Sequence, residues 1–143
     1  MFELSDFYEY CQENDVDVIP YQGCPKPGTT IRDAEFYAVF LDFSQIHSTR
    51  TLRGVCYHEL GHLGSGALHK VNSPFELVER SEHRAKRWSA EHLLPKADFL
   101  EAFQYGYTEP WQLAEYFDLP EEDICNALAY WSVCRGVDFN TCQ

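Results

Sequence analysis

The hexapeptide YHELGH, residues 57–62, constrains the fold most, because it places a glutamate between two histidines inside a helical pattern. At about 100° per residue, the apolar side of this helix consists of Leu52, Val55, Cys56 and Leu63. Glu59 falls within that side, while His58 and His62, at i and i+4, project together from its flank. The segment therefore predicts a helix that buries a carboxylate next to two imidazoles.

The buried glutamate requires a cationic partner, because an unpaired carboxylate is costly to remove from water. Its neighbours one helical turn away, at positions 55, 56, 62 and 63, include no Lys or Arg. A zinc ion supplies that charge, since the H-E-x-x-H spacing directs both imidazoles to one ion and sets the glutamate beside its open position. The sequence thus predicts a zinc site at His58 and His62, with Glu59 next to it.

A catalytic zinc site needs a third protein ligand, and three residues could provide it. His69 arrives one residue late for the metzincin pattern H-E-x-x-H-x-x-G-x-x-H. Glu79 and Glu82 follow on the next predicted helix, where Glu79 lies nearer the edge of the inward side. The pattern favours Glu82, because Ala85 and Ser89 beside it are small, as a close helix crossing requires.

The N-terminal part of the chain predicts one helix and two strands. Residues 5–14 have helical spacing, and residues 16–21 predict a short strand that Pro20 confines to a sheet edge. Residues 22–30 are rich in Gly and Pro and are expected to form a loop. Residues 35–43, aromatic and β-branched, predict the strongest strand, covered at least in part on both faces.

Capping residues indicate where the helices begin and end. The start signals are Ser5 for the first helix, Ser48 or Thr49 for the H-E-x-x-H helix, and Ser73 (N-cap), Pro74 (N1) and Glu76 (N3) for the next. The H-E-x-x-H helix is expected to run to about Leu63 and to end at the glycines of residues 64–66. The next helix should end near Leu94, and two short helices joined at residues 118–120 should follow.

A chain of 143 residues with 45% hydrophobic residues is long enough for one domain with its own core. We expect a compact α+β domain over residues 1–143, with a catalytic core in 1–100 and an acidic helical segment in 101–143. Its parts are a small β-sheet, the H-E-x-x-H helix, a glutamate-bearing helix and a C-terminal helical pair.

The sequence predicts a cytoplasmic protein without membrane association. No apolar run approaches the ~18 residues of a membrane span, and the acidic start MFELSDFYEY lacks the pattern of a secretory signal. The six cysteines include no C-x-x-C pair and are expected to be reduced thiols.

The net charge of −12 disfavours direct binding to nucleic acid, which depends on neutralising phosphates. Residues 101–143 carry eight acidic residues and one basic residue. Their two predicted helices have helix-turn-helix spacing, with Ala114 and Leu119 at the packing positions. The second helix would repel phosphate, because it begins with Glu121, Glu122 and Asp123. A helical pair that covers the core is therefore favoured over a DNA-binding regulator.

Two motifs of the chain resemble the ImmA/IrrE family of metallopeptidases. The first is HELGH, and the second, about twenty residues later, is EHRAKRWSAEHLLP. The family's second motif has the form E-x-x-A-x-x-F-A followed by L-L-M-P. This chain matches with Glu82 and Ala85, has Trp88 and Ser89 in place of Phe and Ala, and continues with HLLP at 92–95. HELGH alone occurs in many zincins, so the spacing to the second motif is the specific part.

The resemblance implies a gluzincin-like zinc endopeptidase, with His58, His62 and Glu82 as ligands and Glu59 as the catalytic acid/base. It also implies an antirepressor role: a narrow protein substrate, a helix-turn-helix repressor of a mobile element or stress regulon, is cut to release transcription. A non-catalytic module that retains the zinc-site fold is the alternative, and the intact H-E-x-x-H motif argues against it. The sequence does not predict the oligomeric state.

The expected reaction is hydrolysis of a peptide bond. Zinc activates a water molecule and polarises the scissile carbonyl, and Glu59 carries the proton of the water to the leaving amine. The strand at 35–43 is expected to bind an extended peptide along its edge. The sequence does not choose the residue that stabilises the oxyanion, and the candidates are His47, His92, Tyr37, Tyr105 and Tyr107.

Overall fold

The computed structural model describes residues 1–68 and 74–139. In chain order, the elements are α1 (Leu4–Glu13), β1 (Val16–Pro20), β2 (Gly28–Asp33), β3 (Phe36–Leu41), α2 (Thr49–Ser65), α3 (Phe75–Leu93), α4 (Lys96–Gln104), α5 (Pro110–Phe117) and α6 (Glu121–Ala129). A 3₁₀ turn at Phe43–Gln45 precedes α2, and a π-helical turn at Tyr130–Cys134 follows α6. The fold is therefore α+β, as the sequence predicts.

The three strands form one small sheet in the order β1-β3-β2. The central strand β3 runs parallel to β1 and antiparallel to β2. Val39 and Leu41 of β3 are fully buried beneath the helices. Pro20 lies in the edge strand β1, which confirms the predicted edge position, because proline cannot donate a ladder hydrogen bond.

Two predictions for the sheet are wrong. Residues 28–30 are not part of a loop, because Gly28 begins β2 and pairs with Leu41. This segment is polar, so its composition does not indicate a strand, but pairing with β3 provides its ladder hydrogen bonds. The strand predicted at 35–43 cannot accept a peptide along its edge, because β1 and β2 occupy both sides of β3. In this sheet, the outer edges belong to β1 and β2.

Helix α2, which carries the H-E-x-x-H motif, is the central helix of the fold. Ser48 caps it by accepting a hydrogen bond from the Thr51 N–H, and Gly66 ends it with a left-handed φ of 68°. It contacts α1, α3 and β2, so that little of its surface remains in water. The buried residues of α2 are Arg53, Gly54, Cys56, Tyr57, Glu59, Leu60, Gly61, His62 and Leu63.

The structure changes two of the predicted helix starts. Helix α1 begins at Leu4, and its N-cap is Glu3 rather than Ser5, because Glu3 and Asp6 form a reciprocal capping box. Helix α3 begins at Phe75, so that Pro74 is the N-cap and not the first helical residue. The proposed cap Ser73 lies outside the described residues.

The C-terminal helices cover the core, which confirms the predicted helical pair. Ala114 and Leu119 are buried, and the Leu119 N–H donates to the Ala114 carbonyl at the junction of α5 and α6. Helix α6 contacts α3, and Pro120 at its start lies against Gly54 of α2. Helix α4, which the sequence analysis did not predict, adds the fully buried Phe99 to the same core.

Among the described residues, no helix combines the length and the apolar character that crossing a membrane requires.

Candidate metal centre

Helix α2 brings two imidazoles together, as its sequence predicts. His58 and His62 are one turn apart, and their Nε2 atoms are separated by 3.2 Å. The two rings are nearly perpendicular, with an interplanar angle of 82°. The side chain of His62 is 6% exposed and that of His58 is 30% exposed, so the pair faces solvent on one side only.

Glu82 approaches the two histidines from α3. Its Oε2 lies 3.0 Å from His58 Nε2, and its Oε1 lies 3.2 Å from His62 Nε2. Two ligands that bind one tetrahedral zinc at about 2.05 Å are about 3.3 Å apart. The observed spacing therefore fits a common ion with modest adjustment, and the donor set of two imidazoles and a carboxylate suits zinc.

The three ligand atoms lie within 4.8 Å of one another. Among residues 1–68 and 74–139, no other group of three or more His, Cys, Asp or Glu side chains converges in this way. Glu79, one of the alternatives for the third ligand, is exposed on α3 and is not part of the cluster. His69, the other alternative, lies outside the described residues.

A close crossing of α2 and α3 makes this approach possible. Gly61 of α2 lies against Ala85, since a Cβ atom at position 61 would be 2.5 Å from the Ala85 carbonyl oxygen. The Ser89 hydroxyl donates to the Tyr57 carbonyl over 3.0 Å and joins the two helices at the same level. The small residues Ala85 and Ser89 thus serve the close crossing that the sequence predicts.

The ring of His62 is held from its other side. Its Nδ1 donates to the Ala67 carbonyl over 2.7 Å, because a carbonyl oxygen only accepts. Ser81 of α3 donates to the same carbonyl over 2.7 Å. This contact sets the tautomer of neutral His62 and leaves Nε2 as the atom able to bind a metal. The sequence analysis missed Ala67 and Ser81, because their part in the site depends on main-chain geometry.

Glu59 is buried, 4% exposed, between α2 and the sheet. Its Oε2 accepts a hydrogen bond of 2.5 Å from the Thr30 hydroxyl of β2. The neighbours of Glu59 on its own helix offer no cationic partner, but the carboxylate has a protein partner on β2. Gly28 lies beside it, since a Cβ there would be 3.1 Å from Glu59 Cγ. A glycine within a strand can mark such a close approach, but nothing in the sequence linked β2 to Glu59.

The charges at the site favour a cation. Hydrogen bonds from His58 and His62 hold the pKa of the Glu82 carboxyl well below its usual range. Burial lowers the pKa of His62, but the contacts with Glu82 and the Ala67 carbonyl outweigh it, and the pKa is raised. Glu59 adds to this rise, so its carboxylate also acts on His62. Glu82 and Glu59 thus both favour positive charge at this imidazole.

The five candidates for stabilising an oxyanion lie at different places in the fold. Tyr37 contacts Arg32, and His92 stacks on Trp88 with ring centroids 4.2 Å apart. The remaining three are the exposed His47 and the two residues in contact with Tyr116, namely Tyr105 and Tyr107. Within the described residues, none of the five forms a hydrogen bond or ion pair with Glu59 or the His58–His62–Glu82 cluster.

An open depression runs along α3 beside the cluster. Its lining, from Phe75 to Lys86, belongs to this one helix and includes Glu82, so the candidate ligand on α3 also faces the depression. Phe75 is 74% exposed at the far end.

A buried H-E-x-x-H helix, joined by a carboxylate from the following helix, is the arrangement of a metallopeptidase-like protein. Residues 28–129 match the model of the Peptidase M78 family, the IrrE N-terminal-like domain. The chain therefore belongs to this family, which confirms the resemblance that the second motif indicated. No curated protein and no solved structure matches the chain.

Proposed function

We propose that this protein is a zinc-dependent endopeptidase in which His58, His62 and Glu82 hold the metal and Glu59 is the general acid/base. The observation that carries the proposal is the convergence of the three ligand atoms within 4.8 Å of one another. Membership of the Peptidase M78 family supports the same conclusion. The intact glutamate of the H-E-x-x-H motif favours catalysis over a purely structural metal site.

The residues of the chain have distinct tasks in this reaction. When bound, zinc supplies Lewis-acid polarisation of the scissile carbonyl and activation of a water molecule. Glu59 accepts a proton from the attacking water on its carboxylate and delivers it to the leaving amine. The contact between His62 Nδ1 and the Ala67 carbonyl orients the imidazole, so that the ligand atom is in place before the substrate binds.

The proposed substrate is a helix-turn-helix repressor of a mobile element or stress regulon, which the protein cuts in the cytoplasm as an antirepressor. Two features support this partner. The second motif around Glu82 resembles that of ImmA/IrrE peptidases, and residues 101–143, with eight acidic residues and one basic residue, complement a basic DNA-binding protein.

The metal site is tested by elemental analysis of the purified, metal-replete protein. We expect about one zinc per chain, and its loss in His58→Ala, His62→Ala and Glu82→Ala, because two ligands rarely hold zinc tightly. Glu79→Ala is the matched control on the same helix and should retain the metal. Zinc absent from the parent protein, or retained by Glu82→Ala and lost from Glu79→Ala, would contradict the proposed ligands.

The catalytic role is tested by Glu59→Gln, which keeps the shape of the side chain but removes the base. Zinc content should persist, while hydrolysis falls by at least ~100-fold, the scale of a positioned acid/base. Cleavage of a peptide library, and of any helix-turn-helix repressor that a neighbouring gene encodes, is followed by mass spectrometry. Unchanged hydrolysis in Glu59→Gln would contradict the role, and a parent protein that binds zinc but cuts neither substrate would indicate a non-catalytic module.

A further inference from the structure

We propose that Thr30 is a positioning residue for Glu59: strand β2 fixes the orientation of the catalytic carboxylate through the Thr30 hydroxyl. The inference rests on the proposed function, because Glu59 has a catalytic role only in a peptidase. It starts from the hydrogen bond of 2.5 Å in which Thr30 Oγ1 donates to Glu59 Oε2.

The position of Thr30 in the sheet places its hydroxyl on the side of α2. Thr30 pairs with Val39 of β3, and Val39 is fully buried. Directly opposite residues of neighbouring strands project to the same face, so Thr30 faces the core and the helix. Thr29, the preceding residue, projects to the other face, where its hydroxyl is buried without a hydrogen-bond partner among the described residues.

Gly28 explains how β2 comes close enough for this contact. A Cβ atom at position 28 would lie 2.5 Å from Val55 Cγ1 and 3.2 Å from Glu59 Oε1. Gly28 and Thr30 are two residues apart and share one face of the strand. Gly28 therefore leaves room for the Glu59 side chain. Thr30 binds the other carboxylate oxygen, Oε2.

The physical consequence is preorganisation of the base. A free glutamate side chain rotates among several rotamers, and only some of them direct the carboxylate to the reacting water. A hydrogen bond to a residue on a paired strand restricts that rotation before the substrate arrives. The hydrogen bond also satisfies a buried charged oxygen, which is otherwise costly to leave without a donor. Thr30 thus acts through Glu59 and not on the substrate.

The first test measures the contact without catalysis. A double-mutant cycle combines Thr30→Val with Glu59→Leu in protein freed of metal by a chelator, and urea unfolding gives the equilibrium constants. We expect the effects of the two changes on the equilibrium constant of unfolding to be coupled by at least ~3-fold, as is typical of contacting residues. The control cycle, Thr29→Val with Glu59→Leu, should show no coupling, because the Thr29 hydroxyl has no hydrogen-bond partner among the described residues.

The second test measures catalysis with a peptide that the library assay identifies as a substrate. Thr30→Val should lower kcat by about tenfold or more, with KM and zinc content unchanged, because binding and ligation do not use the hydroxyl. Thr30→Ser, which keeps the hydroxyl, should restore most of kcat. A purely structural role would instead lower zinc content or change KM, and Thr30→Ser would not rescue it.

The outcomes separate the two proposals. Absence of coupling between Thr30 and Glu59, or equal loss of kcat in Thr30→Ser and Thr30→Val, overturns the positioning role and leaves the peptidase function intact. Coupling in the metal-free protein together with a parent that binds zinc but cleaves nothing overturns the proposed function, and Thr30 then has no catalytic part. Both proposals are supported if Thr30 and Glu59 are coupled, Thr30→Val lowers kcat alone, and Thr30→Ser restores it.

Discussion

Asp42 shows how a single buried carboxylate organises a loop of this fold. It lies after β3 and accepts hydrogen bonds from the N–H groups of Gly23 and Cys24 at 3.0 and 3.1 Å. Ser44 and Gln45 of the following turn donate to it as well. The hydrogen bonds from Ser44 and Gln45, followed by those of the main chain, hold the pKa of Asp42 well below its usual range despite burial.

This pKa predicts how stability depends on pH. Because the folded protein favours the ionised form, the contribution of Asp42 is complete above the unfolded-state pKa of about 3.9 and is lost as the pH falls below it. We expect Asp42→Asn to lower the free energy of unfolding most at about pH 7 and progressively less below about pH 4. Urea unfolding of chelator-treated protein over this pH range measures the difference.

Asp17→Asn is the matched control, because Asp17 is exposed on β1 and its side chain makes no hydrogen bond or ion pair with the described residues. It should leave the urea midpoint nearly unchanged at every pH. If Asp42→Asn lowers the free energy of unfolding by the same amount from neutral to acidic pH, the charge of Asp42 does not contribute to stability.

At the scale of secondary-structure elements, the crossing of α2 and α3 determines the geometry of the candidate metal site. His58 and His62 belong to one helix and Glu82 to the other, so the geometry of the cluster depends on the separation of the two helix axes. Gly61 and Gly64 of α2 contact α3 directly, because a Cβ at either position would collide with Ala85 or with the ring of Trp88. A larger residue there must force the helices apart.

Gly61→Ala is therefore expected to damage both stability and metal binding. Alanine has the better helix propensity by about 1 kcal/mol, but overpacking against the Ala85 carbonyl should cost about 1–3 kcal/mol. Moving Glu82 away from the histidines should weaken zinc affinity by about tenfold or more. Urea unfolding and competition with a chelator of known zinc affinity measure the two effects.

Gly106→Ala provides the comparison. Gly106 has a φ of 90° and nothing within 4 Å of a Cβ, so alanine there strains the backbone without touching a neighbour. We expect lower stability with zinc affinity unchanged. If Gly61→Ala binds zinc as tightly as its parent, the separation of α2 and α3 does not control the site.

The negative charge of the molecule lies in both ends of the chain, since residues 1–45 and residues 101–143 each carry a net charge of −7. Not every acid of the C-terminal helices is free. Asp118 is paired with Arg50 and Arg53 at 3.1 and 3.5 Å. Asp123 lies half-buried against Gly54, and burial raises its pKa to about 6. The sequence groups Asp123 with Glu121 and Glu122 as acids that would repel phosphate, but in the structure Asp123 is less exposed than these two. The exposed glutamates of this region are Glu101, Glu109, Glu115, Glu121 and Glu122.

The exposed acids are expected to steer a basic substrate towards the protein. We predict that kcat/KM for the repressor falls as ionic strength rises, because salt screens charges beyond a Debye length of ~8 Å at physiological salt. The variant with Glu115→Gln, Glu121→Gln and Glu122→Gln should reduce this dependence by slowing association at low salt, with kcat unchanged. Cleavage rates measured over a range of salt concentrations provide the slopes.

A triple variant on α1 and β1, with Glu9→Gln, Glu13→Gln and Asp17→Asn, removes the same charge from exposed positions elsewhere. It should keep most of the salt dependence. Equal slopes for the parent and both variants would mean that the acidic residues only keep the protein soluble.

The sequence alone determined the features that depend on contacts within one helix. The spacing of i and i+4 brings His58 and His62 together in any α-helix, so the sequence alone predicts the candidate metal site. The small residues around Glu82 similarly predicted a close crossing. Capping and aromatic patterns predicted α2, α3, the C-terminal helical pair and the strand β3, because these signals are local.

Only the tertiary structure decided the features that join segments far apart in the chain. Thr30 and Glu59 are separated by 29 positions, and no local pattern links a polar edge strand to a carboxylate on a helix. The same reason explains why the sequence of residues 28–30 predicts a loop and why the burial of Asp123 could not be predicted. A strand gains its hydrogen bonds from a partner, and a charged side chain loses its water to a neighbouring element. Both effects are set by how the elements assemble, and the sequence of one segment does not contain them.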